Sequence, residues 1–376
     1  MITEIQGHNH KLMKCSSSWV NLPPELLTTI LDRLDISSSI RLAAVCTSLA
    51  ATIRTCLPAT PPYRPDKPIP WLLLSAQKSK TGPNPNRTIL TFYDLPTSTS
   101  YSVPTSIPSL NTHRWLSSKK GWLLTCDPQS RLHIIKPLTG THILLPSKGI
   151  ETKLRHKVTL CHTPDCASGF LVVGLIQHQT LVFMKAGDKR WTTINASEKR
   201  SYEDVVVYQE KLYALTSESL CCWDIVDIGF SFKGETQISQ VSNSNTCWLR
   251  QLMEWRGELL MMSMHKDQTS QVKLHRLNLR DPAHSHLLSP VRSIGDDALF
   301  IGTNYSFVVQ TSGLNNVQGN CIYFTSDVCQ SYYGAEEFHS KCAFRVFDRG
   351  QETYMPCSPP GSPVHLPLPI CWFQPQ

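Results

Sequence analysis

Residue types able to bind a metal or carry a proton concentrate in one short stretch, Cys161-His162-Thr163-Pro164-Asp165-Cys166. A zinc site needs four converging ligands, usually in two paired clusters. No second cluster at regular spacing follows, and Cys221-Cys222 are neighbours on an expected strand, where consecutive side chains diverge. His284-Ser285-His286 comes after Asp281-Pro282 and reads as a solvated loop rather than a ligand pair. The chain contains no GxGxxG, no Walker string, no HExxH and no GxSxG elbow. No metal, cofactor or catalytic residue is therefore expected. What remains is chemistry of binding. Tyr332, Tyr333 and Phe338, in the stretch Tyr332–His339, are candidate substrate-binding residues, because aromatic side chains dominate interface hot spots. Trp248 and Trp255 are candidates of the same kind, although core positions suit them better.

Composition narrows the class of protein. The chain has 376 residues, 41% of them hydrophobic, enough for a large buried core. Its net charge is +7, but the basic residues are scattered, with Lys119-Lys120 and Lys199-Arg200 the densest pairs. No run of five like charges exists, so a nucleic-acid-binding tail is not expected. The 14 cysteines show no disulfide spacing, the first residues lack the apolar core of a signal peptide, and apolar runs such as 170–176 are strand-sized. The expectation is a chain with reduced thiols inside the cell, in the nucleus or cytoplasm, without a membrane partner.

Two kinds of element must position these side chains. Residues 1–18 are polar and aperiodic, and are expected to be a disordered leader. Residues 19–57 are helical in pattern. Pro23 and Pro24 suit a first helical turn, and Leu26, Leu27, Ile30, Leu31 and Leu34 recur at helical spacing, predicting a helix of about three turns with one broad apolar face. Ser37 or Ser38 can cap a second helix bearing Ile40, Leu42, Val45 and Cys46, and a third carries Leu49 and Ile53. Three short helices bury little surface by themselves, and a unit this small usually needs a partner.

These residues resemble an F-box. Leu22-Pro23-Pro24-Glu25-Leu26-Leu27, Ile30-Leu31-Asp32-Arg33-Leu34 and Arg41-Leu42-Ala43-Ala44-Val45-Cys46 follow that family's pattern, while Leu49-Ala50 stands where the pattern ends in tryptophan. The resemblance implies docking on a Skp1-type adaptor, and through it a cullin. The residues it assigns to that contact are Leu22, Pro23, Leu26, Leu27, Ile30, Leu31, Leu34, Val45 and Cys46.

Residues 58–70 hold six prolines and predict a semi-rigid spacer. From residue 71 the pattern changes to short strands and polar turns. Gly121-Trp122-Leu123-Leu124, Leu132–Ile135 and His142–Leu145 form a three-strand meander, with turns at Asp127-Pro128 and Pro137–Gly140. Comparable anchors at Gly121, Gly169, Lys211, Glu258 and Ala298 are 48, 42, 47 and 40 positions apart. That period predicts a β-propeller of six or seven blades over 71–376. Two tandem β-sandwiches are the alternative. A closed ring must leave no open edge, so a C-terminal strand is expected to complete the blade begun at Trp71–Asp94. The Gly121–Leu124 and Leu144–Pro146 segments and the final Trp372-Phe373-Gln374-Pro375 resemble the kelch-like domain of plant KIB-type F-box proteins.

The fold class expected is thus mainly β with a small α N-terminal domain. The function this implies is a non-catalytic substrate-recognition subunit of a Skp1-cullin-F-box ubiquitin ligase, its propeller binding a protein substrate. The alternative is a propeller enzyme or sugar-binding module with purely structural N-terminal helices. A deep acidic or metal-bearing channel would favour that alternative.

Overall fold

The computed structural model describes residues 22–31, 70–78, 88–105, 107, 109–150, 157–177, 179–194, 200–226, 229–238, 247–265, 272–279, 287–303, 305–325, 328, 344–357 and 371–375. The chain divides into two compact units, Met1–Lys67 and Pro68–Gln376. The expected leader, second and third helices, most of the proline spacer and the Tyr332–His339 stretch lie outside the described residues.

In the first unit, Pro24–Leu31 is an α-helix. Pro23 precedes it and its carbonyl accepts the Leu26 N–H at 3.1 Å, so neither proline interrupts a helical hydrogen bond. Inside the helix, Thr29 Oγ1 donates to the Glu25 carbonyl at 2.9 Å, which satisfies a hydroxyl that would otherwise compete for the backbone.

The second unit contains six β-sheets among the described residues, which sets aside the two-sandwich alternative. Four are plain antiparallel meanders, each beginning with its innermost strand. Blade two runs Arg114–Lys119, Trp122–Cys126, Leu132–Lys136, Thr141–Leu144, and blade three opens on Lys157–His162. Blade four opens on Tyr202–Tyr208 and blade five on Cys247–Trp255.

Blade one holds the closure. Its strands Trp71–Lys78, Thr88–Asp94 and Thr99–Thr105 follow the chain, but its innermost strand is Cys371–Phe373. The two ends of the propeller pair antiparallel, with Trp71 opposite Phe373, Leu72 opposite Trp372 and Leu73 opposite Cys371. The closure read from the sequence is therefore present.

Blade six departs from a meander. The chain enters at the second position with Asp297–Gly302, turns inward to Tyr305–Gln310, then crosses back to Cys321–Thr325, which pairs parallel to the first of these strands. Phe344–Asp348 and Thr353–Cys357 complete five strands. The inward turn depends on Gly302, since a Cβ there would sit 2.3 Å from the Tyr305 ring.

The core lies between blades. Strand Lys211–Thr216 shows why. Leu212 and Ala214 pack with Val173, Leu175 and Phe183 of blade three, while Leu215 packs with Leu259 and Met261 of blade five. Strand Glu258–His265 repeats the division, with Leu260, Met262 and Met264 facing Leu299, Ile301 and Phe324 of blade six. Alternate residues of a strand point to opposite faces, so a blade covered on both sides needs apolar residues throughout. That need explains runs such as 170–176 and Glu258–Met262. Each fully buried aliphatic side chain contributes about 1.5–3 kcal/mol.

Trp255 belongs to this core, and its Nε1 donates to Asp297 Oδ2 at 2.7 Å. Of Trp248 only its place in a strand is described. Among the described residues, no helix is long and apolar enough to cross a membrane.

Candidate functional site

The six innermost strands surround a polar channel. Two-residue turns close three of their hairpins at one end: Lys120-Gly121, Gln209-Glu210 and Arg256-Gly257. Both residues of each turn have positive φ, the geometry that matches the twist of a tight hairpin. Glycine takes the second place in two of them. In the third, Gln209 and Glu210 hold φ of 47° and 56° with full side chains. Such conformations cost about 1–3 kcal/mol and gather at functional surfaces.

Polar ties run between neighbouring inner strands around the whole ring. The Leu160 N–H donates to Ser117 Oγ at 3.5 Å across blades three and two. Lys157 Nζ pairs with Asp204 Oδ1 across three and four. Asp204 Oδ2 accepts the Leu252 N–H at 2.6 Å across four and five, where Arg250 also pairs with Glu203 at 2.9 Å. Gln251 Nε2 donates to the carbonyls of Gly302 and Tyr305 at 3.2 and 3.3 Å across five and six. The Trp372 N–H donates to the Tyr305 hydroxyl, and the Gly121 N–H donates to the Gln374 carbonyl at 2.7 Å, joining six to one and one to two. These polar groups replace water contacts with partners on the adjacent blade, and so fix the ring's diameter.

The channel encloses a cavity of about 450 Å3. A second cavity of about 310 Å3 shares Lys119, Lys120, Val207 and Glu254 with it and extends to His162 and Cys166. Lys157 is engaged by Asp204, and Arg256 by Asp297 at 2.6 Å. Lys119, Lys120 and Glu254 have no ion-pair partner among the described residues. Burial lowers the His162 pKa, Glu210 opposes that, and Lys119, Lys185 and Lys120 lower it further, so the imidazole is neutral at pH 7. The mouth of the channel thus balances Lys119 and Lys120 against Glu210 and Glu254. Among the described residues no group of three or more His, Cys, Asp or Glu could hold a metal ion. In the Cys161–Cys166 stretch Cys161 is buried, while Cys166 is exposed with its Sγ 3.6 Å from Thr163 Oγ1. Asp165 is exposed and accepts Trp122 Nε1 at 2.7 Å and Lys136 Nζ at 2.9 Å. Cys221 is buried and Cys222 only partly so, as divergent strand neighbours should be.

Blade two carries the densest titratable cluster described. His133 Nδ1 lies 2.8 Å from His142 Nε2, His133 Nε2 lies 3.2 Å from Asp127 Oδ2, and His113 Nδ1 lies 3.0 Å from Thr125 Oγ1. Burial, then the neighbouring His133, pushes the His113 pKa down to about 4 against the pull of Asp127. Burial and His133 also lower His142. Burial alone would raise Asp127, but hydrogen bonds from Arg131 and His133 outweigh it and hold the carboxyl at about 2. Between pH 6.5 and about 4 the unfolded chain binds a proton at His113 that the folded chain refuses. Stability from this group is whole above pH 6.5 and is lost as pH falls towards 4. Asp127 acts in the same direction below its unfolded value of 3.8. Lowering the pH from 7.5 to 5 is expected to cost about 1–2 kcal/mol through His113. Thermal unfolding of the full chain across that range, beside His113→Asn, checks this. Equal pH slopes for the two proteins would refute it.

The residues assigned to adaptor docking divide by what the structure describes. Leu22 is half-buried and Pro23 exposed, just ahead of the helix. Leu26 is 53% exposed and Ile30 half-buried, one turn apart on the same face, and Leu27 and Leu31 occupy the adjacent register of that helix. Leu34, Val45 and Cys46 lie outside the described residues, as do Tyr332, Tyr333 and Phe338. The channel residues were not singled out from sequence. The available signal was Lys119-Lys120-Gly121, a basic pair leading straight into a hairpin glycine.

Comparison with known proteins gives three results. The KIB1-4 beta-propeller family matches residues 92–348, and the F-box domain matches residues 11–58. The Arabidopsis thaliana protein "F-box protein At2g05970" is 22% identical over 334 residues, covering 82% of this chain and 85% of that one. "F-box protein KIB3" of Arabidopsis thaliana is 21% identical over 350 residues, covering 86% and 72%. Among solved structures, "YCF48 bound to D1 peptide" aligns over 54% of this chain and 63% of that one, with 12% identity and a TM-score of 0.31.

Proposed function

We propose, because this chain belongs to the KIB1-4 beta-propeller family and carries an F-box ahead of the propeller, that it is the substrate-recognition subunit of a Skp1-cullin-F-box ubiquitin ligase. The F-box docks a Skp1-type adaptor through Leu22, Pro23, Leu26, Leu27, Ile30, Leu31, Leu34, Val45 and Cys46. The propeller binds the protein substrate. The chain itself performs no chemistry. It raises the local concentration of the substrate beside the ligase's charged partner.

The observation that supports this reading most is the F-box match over residues 11–58 ahead of the propeller, and Leu26 is its testable point. A leucine 53% exposed on an eight-residue helix, with Ile30 one turn along, leaves apolar surface that a partner would cover. Affinity capture of a purified Skp1-type adaptor tests it. The full chain should recover adaptor, and Leu26→Asp with Ile30→Asp should lower recovery more than about tenfold, since two buried charges at an interface cost several kcal/mol. Equal recovery by both proteins would end the reading. The thermal unfolding of the propeller should be unchanged in the variant.

A further inference from the structure

We draw no further inference here: the strongest candidate, the outer edge of blade four along Gly229–Gln237 with its exposed Phe232, is an unpartnered apolar surface, and nothing in the structure shows what covers it.

Discussion

Trp372→Ala is expected to destabilise the propeller by about 4 kcal/mol and to lower its unfolding temperature by about 10 °C. Trp372 is fully buried at the join between the first and last blades. Its ring meets Phe300 edge-on at 4.8 Å and Phe344 at 5.3 Å, and its backbone pairs with Leu72. Removing the side chain leaves a cavity that Phe300, Phe344 and Tyr323, anchored in separate strands, cannot fill by collapse. The energetic damage falls on the strand that closes the ring. With Cys371–Phe373 displaced, Trp71–Leu73 becomes an unpaired and wholly apolar edge, a template for aggregation. Trp372→Phe should cost much less, because the indole Nε1 has no partner to lose and only volume changes. Differential scanning fluorimetry on the three proteins decides the matter. A shift of less than 1 °C for the alanine variant would show that the closing strand does not hold the ring.

The parts of this fold legible in the sequence are those buried on two sides. Second strands such as Leu171–Ile176, Lys211–Thr216 and Glu258–His265 are apolar on both faces because a blade covers each, so their spacing gave the repeat period directly. The innermost strands were harder to read. Arg114–Lys119 and Lys157–His162 mix charge with apolar residues, since one side packs on a blade while the other lines the channel. Nothing in Arg-Trp-Leu-Ser-Ser-Lys marks a strand until its neighbours are known. The outer strands, such as Thr99–Thr105, are largely exposed and carry little apolar pattern. The crossing in blade six was hidden for another reason. It depends on Gly302 admitting the Tyr305 ring, a contact of tertiary origin that local propensity does not encode. The N-terminal helix was legible because its leucines repeat at helical spacing, whereas the channel lysines are distant in sequence from Gln251 and Glu254 and meet them only once the ring closes.

Asp204→Ala should be the most damaging single change in the channel, and its effect is expected to reach about 3–5 kcal/mol. The carboxylate is 2% exposed and engages three blades at once. It pairs with Lys157 of blade three, accepts the Val205 N–H at 2.6 Å within blade four, and accepts the Leu252 N–H at 2.6 Å from blade five. Alanine leaves the Lys157 ammonium buried without its counter-ion, and two backbone donors lose a partner with them. Asp204→Asn separates these contributions. Its amide oxygen can still accept one N–H, but the charge partner of Lys157 is gone, so its cost should fall between that of alanine and the parent. Lys157→Met in the Asp204→Ala background should recover part of the loss, because the stranded charge is removed while the two N–H groups stay unpaired. A double variant no more stable than Asp204→Ala alone would show that the backbone bonds, and not the ion pair, carry the energy. Urea unfolding of the four proteins measures all three comparisons. In the same proteins the adaptor capture proposed above should hold at the parent level at temperatures below their unfolding transitions, since the helix Pro24–Leu31 lies in the other compact unit of the chain.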